Sequence, residues 1–419
     1  MSVIAGPEQA ADGKDGRRRV PRPLGALVGW AGRTFDELGP AVMGYGAVKL
    51  IGFTVFMRLL EVSGDYLKKG AFGGGKHPWD VLGSWDGAWY QQVAIHGYHP
   101  QLIYTTGGFF TAEQNSAGFF PLYPGLMRLV MECTGLGSFG AGMLVAIVGA
   151  FAAAAGIYKV TARLGGPKAG VIAALIWAVF PGSGAEWAVY SDSLFVALCA
   201  WACYCVMTHR WLTAGTLTLI AGLSRPTSAA LIAAVGLAAL VALVRRQDGV
   251  LRPLLAGLMA PWGLIGYLAW VGYRMGNLSG YFILERDAWA HYFDFGRYTE
   301  HATLSVMLGR TNYIYSYPLA DEIAALVLVA LPLLIIALVR LKPPLVLVVY
   351  TLMTCVPALG SQQIYSNLPR YLLPAFPLFI ALAIGLSRFK WTALTGMFVV
   401  LGAASGWYAG YVLFELGIP

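Results

Sequence analysis

Charged side chains are scarce in this sequence. Only 12% of its 419 residues are charged, whereas 58% are hydrophobic, and the mean hydropathy is +0.63. Because about a quarter of the residues in a soluble globular domain are charged, this composition excludes a soluble enzyme. Apolar runs of about 20 residues recur, and each is long enough to cross a bilayer as a helix. The sequence therefore predicts an all-α integral membrane protein with many spans.

Cysteine and metal-binding motifs are also sparse. The five cysteines lie in or beside apolar segments and indicate neither a disulfide framework nor a metal site. No Asp-x-Asp motif occurs, so a metal-bound nucleotide-sugar donor is not expected. His96 and His99 could share one helix face, but a metal would need further ligands, and the following Pro100 favours a helix end there. We expect no cofactor and no metal.

Eleven apolar segments are predicted to span the membrane, and counts from 10 to 13 fit the sequence. The segments are 39–60, 139–160, 168–183, 191–208, 211–223, 228–244, 253–273, 321–339, 344–359, 371–387 and 392–413. The net charge of +8 fits the positive-inside bias rather than nucleic-acid binding, because the basic residues lie in short loops beside spans. These loops share the cytoplasmic side if residues 61–137 lie outside. We expect a plasma-membrane protein whose partners include membrane lipids and no nucleic acid.

The polar segments define the predicted domains. Residues 1–37 are polar, basic and rich in Gly and Pro, which predicts a disordered cytoplasmic tail. Residues 38–419 form a single transmembrane domain with two outer loops, 61–137 and 275–320. Within the first loop, 119–133 is too short to cross and predicts an interfacial or re-entrant helix. The second loop predicts one amphipathic helix with Asp287, His291 and Asp294 on one side.

Asp86 is the leading candidate for chemistry. It lies in the longest polar interruption of the chain, among the aromatic residues Trp85, Trp89 and Tyr90. A carboxylate partly withdrawn from water by such neighbours is a stronger base. Two alternatives stay open at this stage: Asp86 caps a helix that runs through 87–95, or Asp80 is the acid that acts.

Four blocks of sequence resemble the PIG-V-type mannosyltransferases, which add the second mannose of the GPI anchor. The blocks are Trp85-Asp-Gly-Ala-Trp-Tyr90 with Val93-Ala-Ile-His-Gly-Tyr98, Phe119-Phe-Pro-Leu-Tyr-Pro124, Tyr190-Ser-Asp-Ser-Leu-Phe195 and Pro369-Arg-Tyr-Leu-Leu-Pro374. They follow the order of the family and extend over most of the chain. The sequence departs from the eukaryotic pattern at Ala88, where a His is missing, at Asp192, which replaces Glu, and around Ser224–Ser228.

The resemblance implies the GT-C class of multi-span glycosyltransferases, which use a lipid-phosphate sugar donor and carry the catalytic acid in the first outer loop. It implies transfer of mannose from polyprenyl-phosphate-mannose to a glycolipid or other glycan acceptor on the outer face. The departures make it a better guide to the donor than to the acceptor. A transporter or flippase for a lipid-linked sugar is the alternative. Transporters place polar groups near the bilayer midplane, whereas here they gather on one face, which favours the enzyme.

In this chemistry Asp86 is the general base, and a single carboxylate implies inversion at the anomeric carbon. Cationic groups would hold the departing phosphate, with Arg370 as first choice and Arg225 as second; either could instead snorkel to the interface. Lys49 falls midway along the first span. It either contacts phosphate, snorkels, or pairs with an acid such as Glu186 or Asp192.

The remaining candidates for substrate binding come from the same blocks. Asp192 either caps a helix or binds a sugar hydroxyl, and the aromatic rings either stack on sugars and the prenyl chain or form the aromatic belt at the membrane surface. The predicted substrate-binding set is Trp85, Trp89, Tyr90, His96, Tyr98, Phe120, Tyr123, Tyr190, Asp192, Arg225, Arg370 and Tyr371.

Overall fold

The computed structural model describes residues 23–67, 74–106, 110–310 and 316–416. The chain forms two compact units, Met1–Gly39 and Pro40–Pro419. The first helix, α1, covers Pro23–Ser63. Residues 23–37, predicted to belong to a disordered tail, are therefore helical, and the tail prediction for residues 1–22 lies outside the described part of the chain.

Helices make up most of the second unit. In chain order they are α2 Asp86–His96, α3 Leu122–Thr134, α4 Ser138–Val179, α5 Asp192–Met207, α6 Trp211–Gly222, α7 Ala229–Val244, α8 Leu251–Met259, α9 Trp262–Met275, α10 Gly280–Trp289, α11 Arg297–Met307, α12 Pro318–Arg340, α13 Leu345–Gly360, α14 Leu368–Leu372, α15 Leu378–Leu386 and α16 Trp391–Ser405, which continues as a π-helix over Gly406–Leu416. Short 3₁₀ segments include Pro78–Gly83, Ser183–Trp187, Pro226–Ser228 and Tyr365–Asn367. Two short strands, β1 Tyr292–Phe293 and β2 Ser361–Gln362, pair antiparallel.

Among the described residues, six helical stretches are long and apolar enough to cross a membrane. They are Asp36–Ser63, Ser138–Val179, Pro226–Val244, Leu251–Met275, Pro318–Arg340 and Trp391–Leu416; α5, α6 and α13 are shorter apolar helices. This confirms the all-α polytopic fold. Each of the eleven predicted segments overlaps helix, and the number that cross stays a prediction.

Helix α4 holds two of the predicted spans in one 42-residue element. It is broken at Gly166, whose φ of 82° is not helical, and Pro167 follows with no N–H to continue the ladder. The two halves fold back on each other and approach closely: a Cβ at Gly170 would lie only 2.7 Å from the ring of Tyr158. This return brings the segment after α4 next to the loop 61–137, where the N–H of Val189 donates to the carbonyl of Leu82 over 2.9 Å.

Two loop predictions have different outcomes. Helix α3 has 13 residues and is about 20 Å long, too short for the roughly 30 Å hydrocarbon core, as predicted for 119–133. The prediction of one helix in 275–320 is wrong. Ala290, with φ 53°, ends α10, so Asp287 and His291 share no helix face. Asp294 instead accepts hydrogen bonds from the N–H groups of Gly296 and Tyr298 at the start of α11.

Candidate active site

Asp86 faces Arg370, a residue 284 positions later in the chain. The guanidinium Nη2 of Arg370 lies 2.5 Å from Asp86 Oδ2. The Asp86 side chain is 28% exposed and the Arg370 side chain only 5%, so the carboxylate is the accessible member of the pair. Trp85, with φ 53° and ψ −121°, takes the N-cap position and turns the chain directly into α2. Helix capping therefore does not account for the position of the Asp86 carboxylate.

Asp192 is a second carboxylate on the same arginine. Its Oδ2 lies 3.0 Å from Arg370 Nη2 and its Oδ1 lies 3.4 Å from Arg370 Nε. Oδ1 also accepts a hydrogen bond of 2.6 Å from Nη1 of Arg225. Asp192 is fully buried, and a charge in such a place requires partners of this kind. We call the four residues Asp86, Arg370, Asp192 and Arg225 the charged cluster.

The charged cluster explains why the two arginines are where they are. The Arg370 side chain is almost inaccessible, and the Arg225 side chain is 18% exposed and engaged with Asp192. Neither arginine is extended toward the surface by snorkelling. Burial alone would lower the pKa of Arg370, but attraction by Asp192 and Asp86 outweighs it and raises that pKa. The guanidinium therefore stays charged in the site.

Tyr190 forms the wall beneath Arg370. The Arg370 guanidinium carbon lies 4.5 Å from the centre of the Tyr190 ring, a cation–π contact. Burial raises the pKa of the Tyr190 hydroxyl, and the nearby Asp86 carboxylate raises it further. Tyr190 therefore remains protonated, and its hydroxyl reaches the carbonyl of Ser84 over 3.4 Å. It supports the arginine rather than acting as a base.

The backbone of Arg370 rests on Gly182, in the segment between α4 and α5. Gly182 has φ 98°, and a Cβ at this position would lie 2.6 Å from the Arg370 nitrogen. Only glycine permits both this conformation and this close approach. This contact brings the segment before α5 against α14, and the ion pair of Arg370 with Asp86 adds the start of α2.

An aromatic wall adjoins Asp86 on α2. Trp89, one turn after Asp86, stacks on Phe119 with ring centroids 6.0 Å apart. Trp289 of α10 meets both rings edge-on, at 5.4 Å from each. The loop 275–320 is thus packed over the loop 61–137 beside the charged cluster.

The sequence did not reveal a polar group next to Tyr371. The Tyr371 ring lies 6.4 Å from that of His291, centre to centre. His291 contacts Glu285 through Nδ1 and Gln363 through Nε2, each at 3.4 Å. Burial would lower the pKa of His291, but the hydrogen bond to Glu285, the charge of Glu285 and the hydrogen bond to Gln363 together outweigh it and raise that pKa. The only sequence signal for this group was the density of polar residues in two separate loops.

The predicted site residues divide into two sets. Tyr90 joins the site, because its hydroxyl lies 2.7 Å from Ser191 Oγ, next to Asp192. Phe120 packs on Tyr267 and Tyr123 on Tyr90, and the hydroxyls of Tyr98 and Tyr123 donate to backbone carbonyls. His96 is exposed at the last residue of α2. The residues assembled around Asp86 are Trp85, Trp89, Tyr90, Tyr190, Asp192, Arg225, Arg370 and Tyr371; the structure does not bring His96, Tyr98, Phe120 and Tyr123 into this group.

Two further expectations concern Asp80 and the histidines. Asp80 Oδ2 accepts the N–H of His77 over 3.0 Å and so closes the turn of Pro78–Gly83. This structural role favours Asp86 as the acting acid. His96 and His99 share no helix face, because α2 ends at His96 and Gly97 has φ 77°. Within the described ranges, no group of three or more His, Cys, Asp or Glu side chains could hold a metal ion, and the expectation that no metal is needed stays a prediction.

The fold resembles that of known membrane proteins. No protein-family model and no curated protein matches the sequence. ArnT from Cupriavidus metallidurans bound to undecaprenyl phosphate matches with a TM-score of 0.50 and 17% identity, over 86% of this chain and 63% of that one. The apo form of the same ArnT matches with a TM-score of 0.49 and 14% identity, over 88% of this chain and 62% of that one. An oligosaccharyltransferase of Archaeoglobus fulgidus, tethered with an acceptor peptide, matches with a TM-score of 0.45 and 13% identity, over 91% of this chain and 55% of that one.

This chain spans less than two thirds of the ArnT chains that it matches. At such identities the likeness shows the fold alone, which is a polytopic helical fold like that of ArnT. It shows neither the GT-C class nor the PIG-V-type family, so both stay predictions.

Proposed function

We propose that this protein is a membrane glycosyltransferase that takes a sugar from a polyprenyl-phosphate donor. The observation that carries the proposal is the pairing of Asp86 with Arg370, in which Asp86 is the most exposed member of the charged cluster. The fold is that of an ArnT chain bound to undecaprenyl phosphate, which supports a donor of this type. The sequence blocks favour mannose as the sugar, and the loop charges favour an active site on the outer face of the plasma membrane.

The two arginines would bind the donor phosphate. A guanidinium presents N–H donors in a planar fork that fits phosphate oxygens. Arg225 Nη1 contacts only one oxygen of Asp192, and Arg370 Nη2 contacts Asp86. Phosphate oxygens would replace the Asp86 carboxylate as the partner of Arg370, while Asp192 keeps both arginines in place.

This exchange would also prepare the base. While Asp86 Oδ2 accepts the hydrogen bond of Arg370, that oxygen is not available to an acceptor hydroxyl. When the donor phosphate engages Arg370, Asp86 is released to accept a proton. Donor binding and activation of the base are thus linked through one side chain.

The transfer step then follows directly. Asp86 takes the proton of an acceptor hydroxyl as that oxygen bonds to the anomeric carbon from the face opposite the phosphate. The bond from the anomeric carbon to the phosphate oxygen breaks, and polyprenyl phosphate leaves with one more negative charge than the bound diester carried. Arg370 and Arg225 stabilise that developing charge, and one displacement inverts the anomeric centre.

A transfer assay tests the function. The wild-type protein in nanodiscs is incubated with radiolabelled polyprenyl-phosphate-mannose and lipid, protein and glycan extracts as acceptor sources. We expect label in a new product and inhibition by unlabelled undecaprenyl phosphate. Saturable donor binding with no labelled product from any extract would contradict the proposal and favour a flippase for the lipid-linked sugar.

A further inference from the structure

Lys49 is a buried cation in α1, and it is bound to a single short segment of the chain. Lys49 is 7% exposed. Its Nζ donates to the carbonyl of Ser183 over 2.8 Å, lies 3.2 Å from Glu186 Oε2, and lies 4.0 Å from the centre of the Trp187 ring. All three contacts fall in the 3₁₀ segment Ser183–Trp187.

Glu186 depends on the same face of α1. The carboxylate is 2% exposed, and its Oε2 also accepts a hydrogen bond of 2.5 Å from the Tyr45 hydroxyl. Tyr45 and Lys49 are four residues apart, so they are neighbours on one side of the helix. Within the described part of the chain, the other oxygen, Oε1, accepts no hydrogen bond. Loss of Lys49 would leave a buried carboxylate held by one hydroxyl.

The segment Ser183–Trp187 lies directly beneath the charged cluster. At its start, Gly182 touches the backbone of Arg370. Three residues after its end is Tyr190, whose ring lies under the Arg370 guanidinium, and Asp192 follows. The same segment also packs tightly against Ala409, because a Cβ at Gly184 would overlap the carbonyl of that residue. A displacement of this tightly packed segment would therefore be passed on to Arg370 and Asp192.

We propose that Lys49 is a positioning residue of the active site, which acts from within the first membrane helix by fixing Ser183–Trp187 and, through it, Arg370 and Asp192. This inference rests on the proposed function for its consequence, the binding of polyprenyl phosphate. It differs from a direct phosphate contact by Lys49, because the ammonium group is already surrounded by Ser183, Glu186 and Trp187. The two roles make different predictions for Glu186.

The experiment uses the full chain in nanodiscs at pH 8, with undecaprenyl phosphate as the probe. Two properties are measured for each variant: affinity for the probe, and hydrogen–deuterium exchange of residues 183–192 and 368–373. The variants are Lys49→Met, Glu186→Gln, the double variant and the conservative Lys49→Arg. Lys159→Met is the matched control. Lys159 lies in α4, ten residues after Gly149, which contacts Leu194. It is therefore about 15 Å further along the helix than that contact.

A positioning role predicts the same result from either side of the ion pair. Lys49→Met and Glu186→Gln should each weaken probe binding about tenfold and increase exchange in both peptides. The double variant should be no worse than Lys49→Met, because both changes break one interaction. Lys49→Arg, which keeps the charge, should restore most of the affinity, and Lys159→Met should change neither property.

Other outcomes would overturn the inference. Hydrogen–deuterium exchange at the wild-type level in both peptides of Lys49→Met would contradict a positioning role. A loss of probe binding in Lys49→Met, with binding unchanged in Glu186→Gln, would also contradict it. That second result would indicate a direct contact between Lys49 and the phosphate. If Lys49→Met does not fold, Glu186→Gln gives the same test from the other partner. If the wild-type protein does not bind the probe, the proposed function fails, and the exchange measurement alone decides the role of Lys49.

Discussion

Arg370 contacts Asp86 at 2.5 Å and Asp192 at 3.0 Å through the same Nη2 atom. The two carboxylates are not equivalent, because Asp192 is fully buried between two arginines and Asp86 is the more accessible. Asp192 thus has the environment of a structural anchor, and Asp86 that of an exchangeable partner. The donor phosphate would therefore displace Asp86, and not Asp192, from Arg370.

The two arginines should differ in the effect of their removal. Arg370→Ala leaves Asp86 without its ion-pair partner and Asp192 with Arg225 alone. It should lower the stability by about 3–5 kcal/mol, and it should also reduce the use of donor. Arg225→Ala removes one contact of a partly exposed side chain, so its loss of stability should be smaller. Thermal unfolding and the apparent affinity for donor measure both effects. Equal loss of stability in the two variants, with donor use unchanged, would return both residues to a purely structural role.

Gly182 should be sensitive to the smallest possible substitution. Gly182→Ala introduces a Cβ 2.6 Å from the Arg370 nitrogen as well as strain at φ 98°. Gly135→Ala is the matched control: its φ of 74° is also positive, but nothing lies within 4 Å of the new Cβ. Each change should cost on the order of 1–3 kcal/mol in backbone strain.

The discriminating measurement is transfer activity in samples that remain folded. Gly182→Ala should lower it by displacing Arg370, while Gly135→Ala should leave it close to wild type. Similar activity in the two variants would show that the contact beneath Arg370 does not matter for the site.

Glu186 should make stability depend on pH. Burial raises its pKa from an ordinary 4.5 to about 7, although Lys49 opposes the rise. Between these values the unfolded chain loses the proton while the folded chain keeps it, so stability falls as pH rises through this window, by on the order of 3 kcal/mol. The charged or titratable groups that act on Glu186 are Lys49, Tyr45 and Asp192.

The comparison of interest is wild type against Glu186→Gln at pH 5 and pH 8. From the lower to the higher pH, the wild-type protein should lose more thermal stability than the variant. Parallel losses in the two proteins would argue against a raised pKa at this position.

Chelation should leave transfer unaffected. The proposed donor already carries its sugar on a phosphate, and two arginines are available to neutralise the leaving group. Activity after dialysis against EDTA should therefore equal that of an untreated sample. A loss of activity that Mg²⁺ or Mn²⁺ restores would require a metal in the mechanism.

The architecture was accessible from the sequence because its signals are local. Apolar runs predict helices that cross a bilayer, and the 13-residue α3 follows from its length. The break within α4 was visible as a short basic connection between two apolar runs. The two helices in 275–320 were not predicted, because Ala290, which ends the first of them, has a positive φ that alanine seldom adopts and that its residue type does not signal.

The candidate site was accessible only in part. Asp86 and Arg370 were singled out by their sequence blocks, but no local pattern says that residues 284 positions apart form an ion pair. Lys49 was recognised as a buried charge with Glu186 among its possible partners. The contact of His291 with Gln363 joins separate loops, and periodicity cannot show such pairing.

The most direct test of the account is to compare Asp86→Asn with wild type for both transfer and donor binding. Asp80→Asn is the matched control in the same loop. Asp86→Asn should lose transfer by about 10²–10⁴-fold, the usual contribution of a general base, and should bind undecaprenyl phosphate at least as tightly as wild type, because the carboxylate that competes for Arg370 is gone. Retained transfer, or a loss of binding in a folded Asp86→Asn protein, would contradict the account.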